Sequence, residues 1–237
     1  AFYPGGSVGQ NLVAEFGMPA SDAANPRAMR LHTSLATPTP GVVSQEQLTA
    51  PTDTEEPEPI PSPSTSAPLV VTEAVVDSTN VGASDGYEFI EIANATDAPI
   101  DFSDYVINYL YPVDENSNSN AVLWPAVPAN SVIGSGETLL FWIKSGPNDD
   151  MTVADFNAFY GTDLELGTDL VEISSGGMAN GSPRGIQIQT NSGHMVNRAY
   201  YNMGSASAVA TNMGLQWMSN EDDLLKQDLV GNEQPTP

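Results

Sequence analysis

The chain has 237 residues, enough for one sizeable core and at most two ordinary domains. Thirty Asp and Glu stand against six Lys and Arg, a net charge of −24 with a pI near 4.1, which excludes nucleic acid as a direct partner because phosphate binding needs clustered cations. Cysteine is absent, which removes disulfides, thiolate metal sites and a cysteine nucleophile. No apolar run reaches the ~18 residues of a membrane span, so membrane insertion is not expected.

Residues 1–37 mix small residues with scattered hydrophobes. Ser21 is placed to cap one short helix running to about Leu31. This unit is too small to hold a core of its own. Residues 38–68 carry eight prolines with Asp53, Glu55, Glu56 and Glu58 between them, which predicts an extended polyproline-like linker. At ~3.1 Å per residue its stretch 51–68 reaches roughly 56 Å.

From Leu69 the pattern becomes short apolar runs between turn residues, the signature of an all-β antiparallel sandwich over 69–230, with 231–237 as a tail. Strands are expected at 69–76, 87–92, 105–111, 121–124, 138–143, 170–173, 185–189 and 195–200. The run 105–111 is apolar on both faces and so belongs inside the sheet. One helix is expected after Thr152 as N-cap, with Asp155 at its third position and Phe156 and Phe159 packing on the sandwich.

Several stretches read together resemble the lamin tail domain, in its branch from secreted bacterial proteins, over about residues 68–218. They are Val71–Ser78, then Asp85-Gly86-Tyr87-Glu88-Phe89-Ile90-Glu91-Ile92-Ala93-Asn94, then Phe102–Tyr105, with Ile133–Trp142, Thr152–Asn157, Gly176–Asn180, Ala199–Asn202 and Gly214–Trp217 behind them. The Tyr87–Asn94 core is the most specific piece. The resemblance implies an immunoglobulin-like fold and no catalytic residues. It also implies that such modules often accompany a metal-dependent phosphatase or nuclease in a larger secreted chain.

The chemistry-bearing residues agree with a non-enzyme. A metal hydrolase needs His and carboxylates on one ion, and the only histidines are His32 and His194, in different zones. No Gly-x-Ser-x-Gly elbow occurs. Calcium, which takes six to eight oxygens from loops, is the cofactor to consider, at Asp114, Glu115 and Asn116 and at Asp149 and Asp150. Neither loop has the EF-hand spacing, and solvated turns explain both equally well. Asn94-Ala95-Thr96 is a glycosylation sequon in an expected turn. Tyr105, Tyr109, Tyr111, Trp124, Phe141 and Trp142 suit either core packing, favoured for Trp142, or a groove for sugar or peptide.

The N-terminal hydrophobes Phe2, Tyr3, Leu12, Val13 and Phe16 exceed what their own short segment can bury. They point to an extracellular or cell-surface structural protein whose arm engages another copy of itself or a cell-surface component, as in a filament or surface layer. The alternatives are an accessory module of a secreted phosphatase or nuclease, and a carbohydrate- or peptide-binding module.

Overall fold

The computed structural model describes residues 66–204 and 207–237, together with the backbone of two N-terminal strands. Those strands, β1 (Val13–Phe16) and β2 (His32–Ala36), pair antiparallel with Val13 opposite Ala36. This ribbon is not expected from the composition of residues 1–37. The helix expected from Ser21 to Leu31, and the arm residues Phe2, Tyr3 and Leu12, lie outside the described residues. The chain divides after Ser62, a few residues before the compositional border at Pro68.

The second unit is all-β with one helix. Its elements in chain order are β3 (Leu69–Val75), β4 (Asn80–Val81), β5 (Ser84–Asp85), β6 (Phe89–Asn94), β7 (Ile100–Asp101), a 3₁₀ turn (Phe102–Asp104) and β8 (Tyr105–Asp114). There follow β9 (Ser117–Leu123), β10 (Val132–Ile133), β11 (Thr138–Lys144), α1 (Val153–Tyr160), β12 (Leu170–Ser174), β13 (Arg184–Thr190), β14 (Met195–Tyr201), β15 (Gly214–Ser219) and β16 (Lys226–Glu233). Ten strands form one sheet in the order β12-β11-β6-β3-β15-β16-β14-β13-β8-β9. Most pairs are antiparallel, while β11–β12 and β14–β16 run parallel.

The sheet curls so that its two halves face each other, as in a sandwich. Ile90 and Phe141 from one half share a fully buried core with Ile186 and Ile188 from the other. A polar link joins the halves inside: the Val71 amide donates to Asn197 Oδ1 at 3.1 Å. β8 is flanked by β13 and β9, an interior position that matches its two apolar faces.

On the outside of the β12-β11-β6-β3 half lies a second apolar cluster of Val75, Phe89, Leu140, Trp142, Phe156 and Leu170, which α1 covers. The helix starts as expected. Asp155 accepts from both the amide and the hydroxyl of Thr152 at 2.8 Å, and the amide bond holds its carboxyl below the usual range. It stops at Gly161, whose φ of 75° is the left-handed cap that glycine takes without strain. Phe156 is wholly buried and Phe159 stacks on Tyr87 at 3.8 Å between ring centroids. Trp142 is core, its indole N–H donating to Gly86 O.

β16 was not expected as a strand. It carries pairing through Glu233, into what composition marks as tail, and its partner β15 shifts register between Gln216 and Trp217.

Candidate interaction surface

Strand β9 ends the sheet. Its inner edge pairs with β8, and among the described residues no strand pairs with its outer edge. All seven of its residues are exposed. Unpaired N–H and C=O groups on a sheet edge are a template for another strand, and natural edges are commonly blunted by Lys, Pro or bulges. β9 contains neither Lys nor Pro; its ladder to β8 shifts register on both sides of Pro112, which leaves Asn120–Leu123 as the regular stretch of the edge, and Val122 and Leu123 there, with Val113 on the neighbouring strand, are 41%, 59% and 71% exposed.

Beside this edge a groove of about 250 Å³ opens at one end of the sandwich, where Tyr109, Tyr111 and Trp124 face the loop Ser174–Gly177. The rings form a row, with Tyr109 5.7 Å from Tyr111 and 5.5 Å from Trp124 between centroids. Tyr109 and Trp124 are almost fully buried and form the floor, while Tyr111 is half-exposed. Tyr109 is fixed from beneath by the Tyr201 hydroxyl at 2.7 Å and by the Ala179 amide, which donates to its oxygen at 2.8 Å. The Arg184 guanidinium lies over the Tyr111 ring, 4.2 Å from its centroid.

The loop forming the groove's far wall continues into Met178, whose amide donates to Glu88 Oε1 at 2.9 Å. Glu88 is 1% exposed. Burial pushes its carboxyl up to about 9, against the Met178 bond, with the charges of Asp85 and Asp77 adding to the rise. Two further carboxyls stand opposite each other on the outer face of the same half-sheet, Glu73 on β3 and Glu91 on β6. Burial raises Glu73 to about 7, although the amide and hydroxyl of Thr236 donate to its Oε2, and burial also raises Glu91.

The expected calcium residues are occupied in turns. Asp114 Oδ1 accepts from the Asn116 amide at 2.8 Å, which holds its carboxyl low, and Glu115 pairs with Lys226 across to β16. Asp149 Oδ1 accepts from the Gly146 amide while Asp150 is exposed. Among the described residues no three His, Asp or Glu side chains are grouped to hold a metal.

The sequon residue Asn94 is committed to the fold. Its side chain is 1% exposed and its Nδ2 points at the carbonyls of Ala98, Ile133 and Gly134, at 2.7 to 3.0 Å. The folded protein leaves no access to that nitrogen, which ties the turn after β6 to the segment before β11. Of the assembly residues, Val13 and Phe16 bound β1. Of the aromatics, Phe141 and Trp142 are core, and Tyr109, Tyr111 and Trp124 come together in the groove. Sequence reasoning missed Arg184 and the Ser174–Gly177 loop, which reach the groove from far along the chain.

No family model matches the sequence. It is 38% identical over 170 residues to the uncharacterized protein YvnB of Bacillus subtilis (strain 168). That stretch covers 71% of this chain and 13% of YvnB, so the chain spans a small part of the relative's length.

Proposed function

We propose that the protein is a non-enzymatic extracellular structural module that assembles with copies of itself, the N-terminal segment of one copy adding to the open edge of the next. The observation that carries this reading is β9, a seven-residue edge strand whose outer side has no partner strand among the described residues and which exposes apolar side chains. Backbone pairing supplies affinity in strand addition, and side-chain pockets supply specificity. A head-to-tail contact of this type does not close on itself and propagates into fibres. Mutual repulsion between chains of charge −24 opposes it until salt or divalent cations screen the charge.

Light scattering and negative-stain microscopy on the full chain, with and without residues 1–37, across a salt and calcium series, test this directly. Oligomers that need the arm and grow with ionic strength are the expected result. A monomer under every condition refutes the assembly reading.

One observation favours a second reading. The matched 170 residues are 13% of YvnB, so in that protein a similar stretch is one part of a far longer chain. On this reading the sandwich is a lamin-tail-like accessory module of a larger secreted protein, such as one with a phosphatase or nuclease domain. The Tyr87–Asn94 stretch supports the lamin-tail assignment. The mass of the natural secreted product separates the two readings, since a product of 25 kDa has no room for an enzyme domain.

A further inference from the structure

We infer that the aromatic groove beside β9 is a docking site for a polyproline-type segment, and that its occupant is the acidic Pro-rich stretch of a second copy of this chain, centred on Pro57-Glu58-Pro59-Ile60-Pro61-Ser62-Pro63. The inference rests on the assembly reading and names the segment and the pocket that carry it.

Three observations converge on this. The first is shape and chemistry. A polyproline helix is extended and has no internal hydrogen bonds, and aromatic-lined grooves recognise it by packing rings against its proline faces. The groove offers Tyr111 and the edge of Trp124 with Pro125, and Val122 and Leu123 along its rim. The second is charge. None of the groove's lining residues is acidic, in a chain where Asp and Glu outnumber Lys and Arg five to one. Of the four Lys and Arg among the described residues, Lys144 and Lys226 are paired with Glu172 and Glu115, whereas no described carboxylate lies within ion-pair distance of Arg184. Arg184 lies over the Tyr111 ring that lines the groove, donates Nη1 to the Pro183 carbonyl, and has further donors to offer Glu58 or Glu56 of the occupant. The third is length. The seven residues Pro57–Pro63 span about 22 Å as polyproline, enough to run along the groove and leave the segment before them free to continue toward the β9 edge.

Peptide docking and self-assembly are separable in one experiment. A fluorescein-labelled peptide of residues 51–65 is titrated into the full chain carrying Pro57→Ser, Pro59→Ser, Pro61→Ser and Pro63→Ser, so that no copy's own segment competes, and anisotropy reads binding. Saturable binding is expected. It weakens up to about fivefold with Arg184→Gln, the range of an exposed ion pair, and about tenfold with Tyr111→Ala, for a lost aromatic contact. Leu123→Ser, at an exposed position with little bearing on the fold, weakens it as well. A peptide with every Pro replaced by Ala does not bind. Absence of saturable binding, or binding indifferent to all three groove variants, overturns the inference. Sedimentation velocity on the unsubstituted chain then addresses the other reading. Association untouched by the groove variants leaves assembly standing without this pocket, and peptide binding by a chain that stays monomeric leaves the pocket standing without assembly.

Discussion

Replacing Glu88 by Gln is expected to remove the largest single share of the stability that the protein loses as pH rises from 5 to 8, the buried Glu73 and Glu91 carboxyls contributing the rest. Glu88 titrates near 4.5 when exposed and near 9 in the fold. Below 4.5 both states carry the proton and the group is neutral to stability. Between 4.5 and 9 the folded state keeps a proton that the unfolded chain has released, so stability falls with each pH unit. At 1.36 kcal/mol per unit, the three units from pH 5 to 8 amount to about 4 kcal/mol as an upper figure. For a domain of this size that is a fall in Tm on the order of 10 °C. Gln keeps the oxygen that accepts from the Met178 amide and has no proton to lose. Thermal melts of the two proteins at pH 5 and pH 8, by near-ultraviolet circular dichroism, isolate the effect, because every other titrating group is common to both. If the two melting temperatures decline in parallel, Glu88 does not hold its proton in the fold and the account of its burial fails.

Further expectations follow from other buried contacts. Asn94→Ala leaves three carbonyls without their donor and lowers unfolding free energy by about 2–3 kcal/mol in a denaturant titration, and folded protein secreted from a glycosylating host carries no glycan at Asn94 by intact mass. Gly214→Ala drives a methyl group into the Glu73 carboxyl and costs about 1–3 kcal/mol, a cost that shrinks in a Glu73→Ala background when the pair is run as a double-mutant cycle. Thr236→Pro takes away both Thr236 donors while leaving the tail in place, and moves the Glu73 carboxyl above its value of about 7, which a carbon-detected NMR titration reads directly. Phe156→Ala strips α1 of its buried anchor and costs about 3–5 kcal/mol, seen as a lowered denaturation midpoint.

The fold was legible where side-chain patterning reflects burial. β3, β6, β11 and β13 announce themselves by apolar runs, and α1 by Thr152 and Asp155, whose reciprocal contact is local in sequence. β16 was hidden because Lys226–Glu233 is mostly polar and its place depends on backbone pairing with β14 and β15. The first half of β9, Ser117–Asn120, reads as a turn for the same reason, since a fully exposed edge strand needs no apolar alternation. The parallel pairings are long-range choices that no local pattern encodes. The groove was half legible: its tyrosines and Trp124 stood out, but Arg184 reaches Tyr111 through the β13–β8 pairing and Ser174–Gly177 comes in through the curl of the sheet, and no local pattern encodes either. Asn94 reads two ways in sequence, because a sequon and a buried amide that ties two turns together are spelled with the same residues.

The buried carboxyl and the groove are parts of one arrangement. The loop after β12 is held by two bonds from adjacent amides, Met178 to Glu88 and Ala179 to the Tyr109 hydroxyl. One anchor lies deep in the core, and the other is itself a groove ring. A Cβ at Gly177, where φ is +86°, would meet Glu88 Oε2 at 2.8 Å, so the backbone closes directly over the carboxyl. A carboxyl in that position destabilises the fold at neutral pH, and an apolar side chain there would not. An apolar side chain also could not accept the Met178 amide, and the groove's far wall would keep only the Ala179–Tyr109 bond of its two attachments. Perturbed titratable groups concentrate where a protein trades stability for a fixed geometry, and here the geometry fixed is that of the Ser174–Gly177 wall facing Tyr111 and Trp124. On this argument Glu88→Gln, which keeps the acceptor, raises stability at pH 8 and leaves peptide docking intact, whereas Glu88→Leu loosens the wall and weakens docking even where the fold survives.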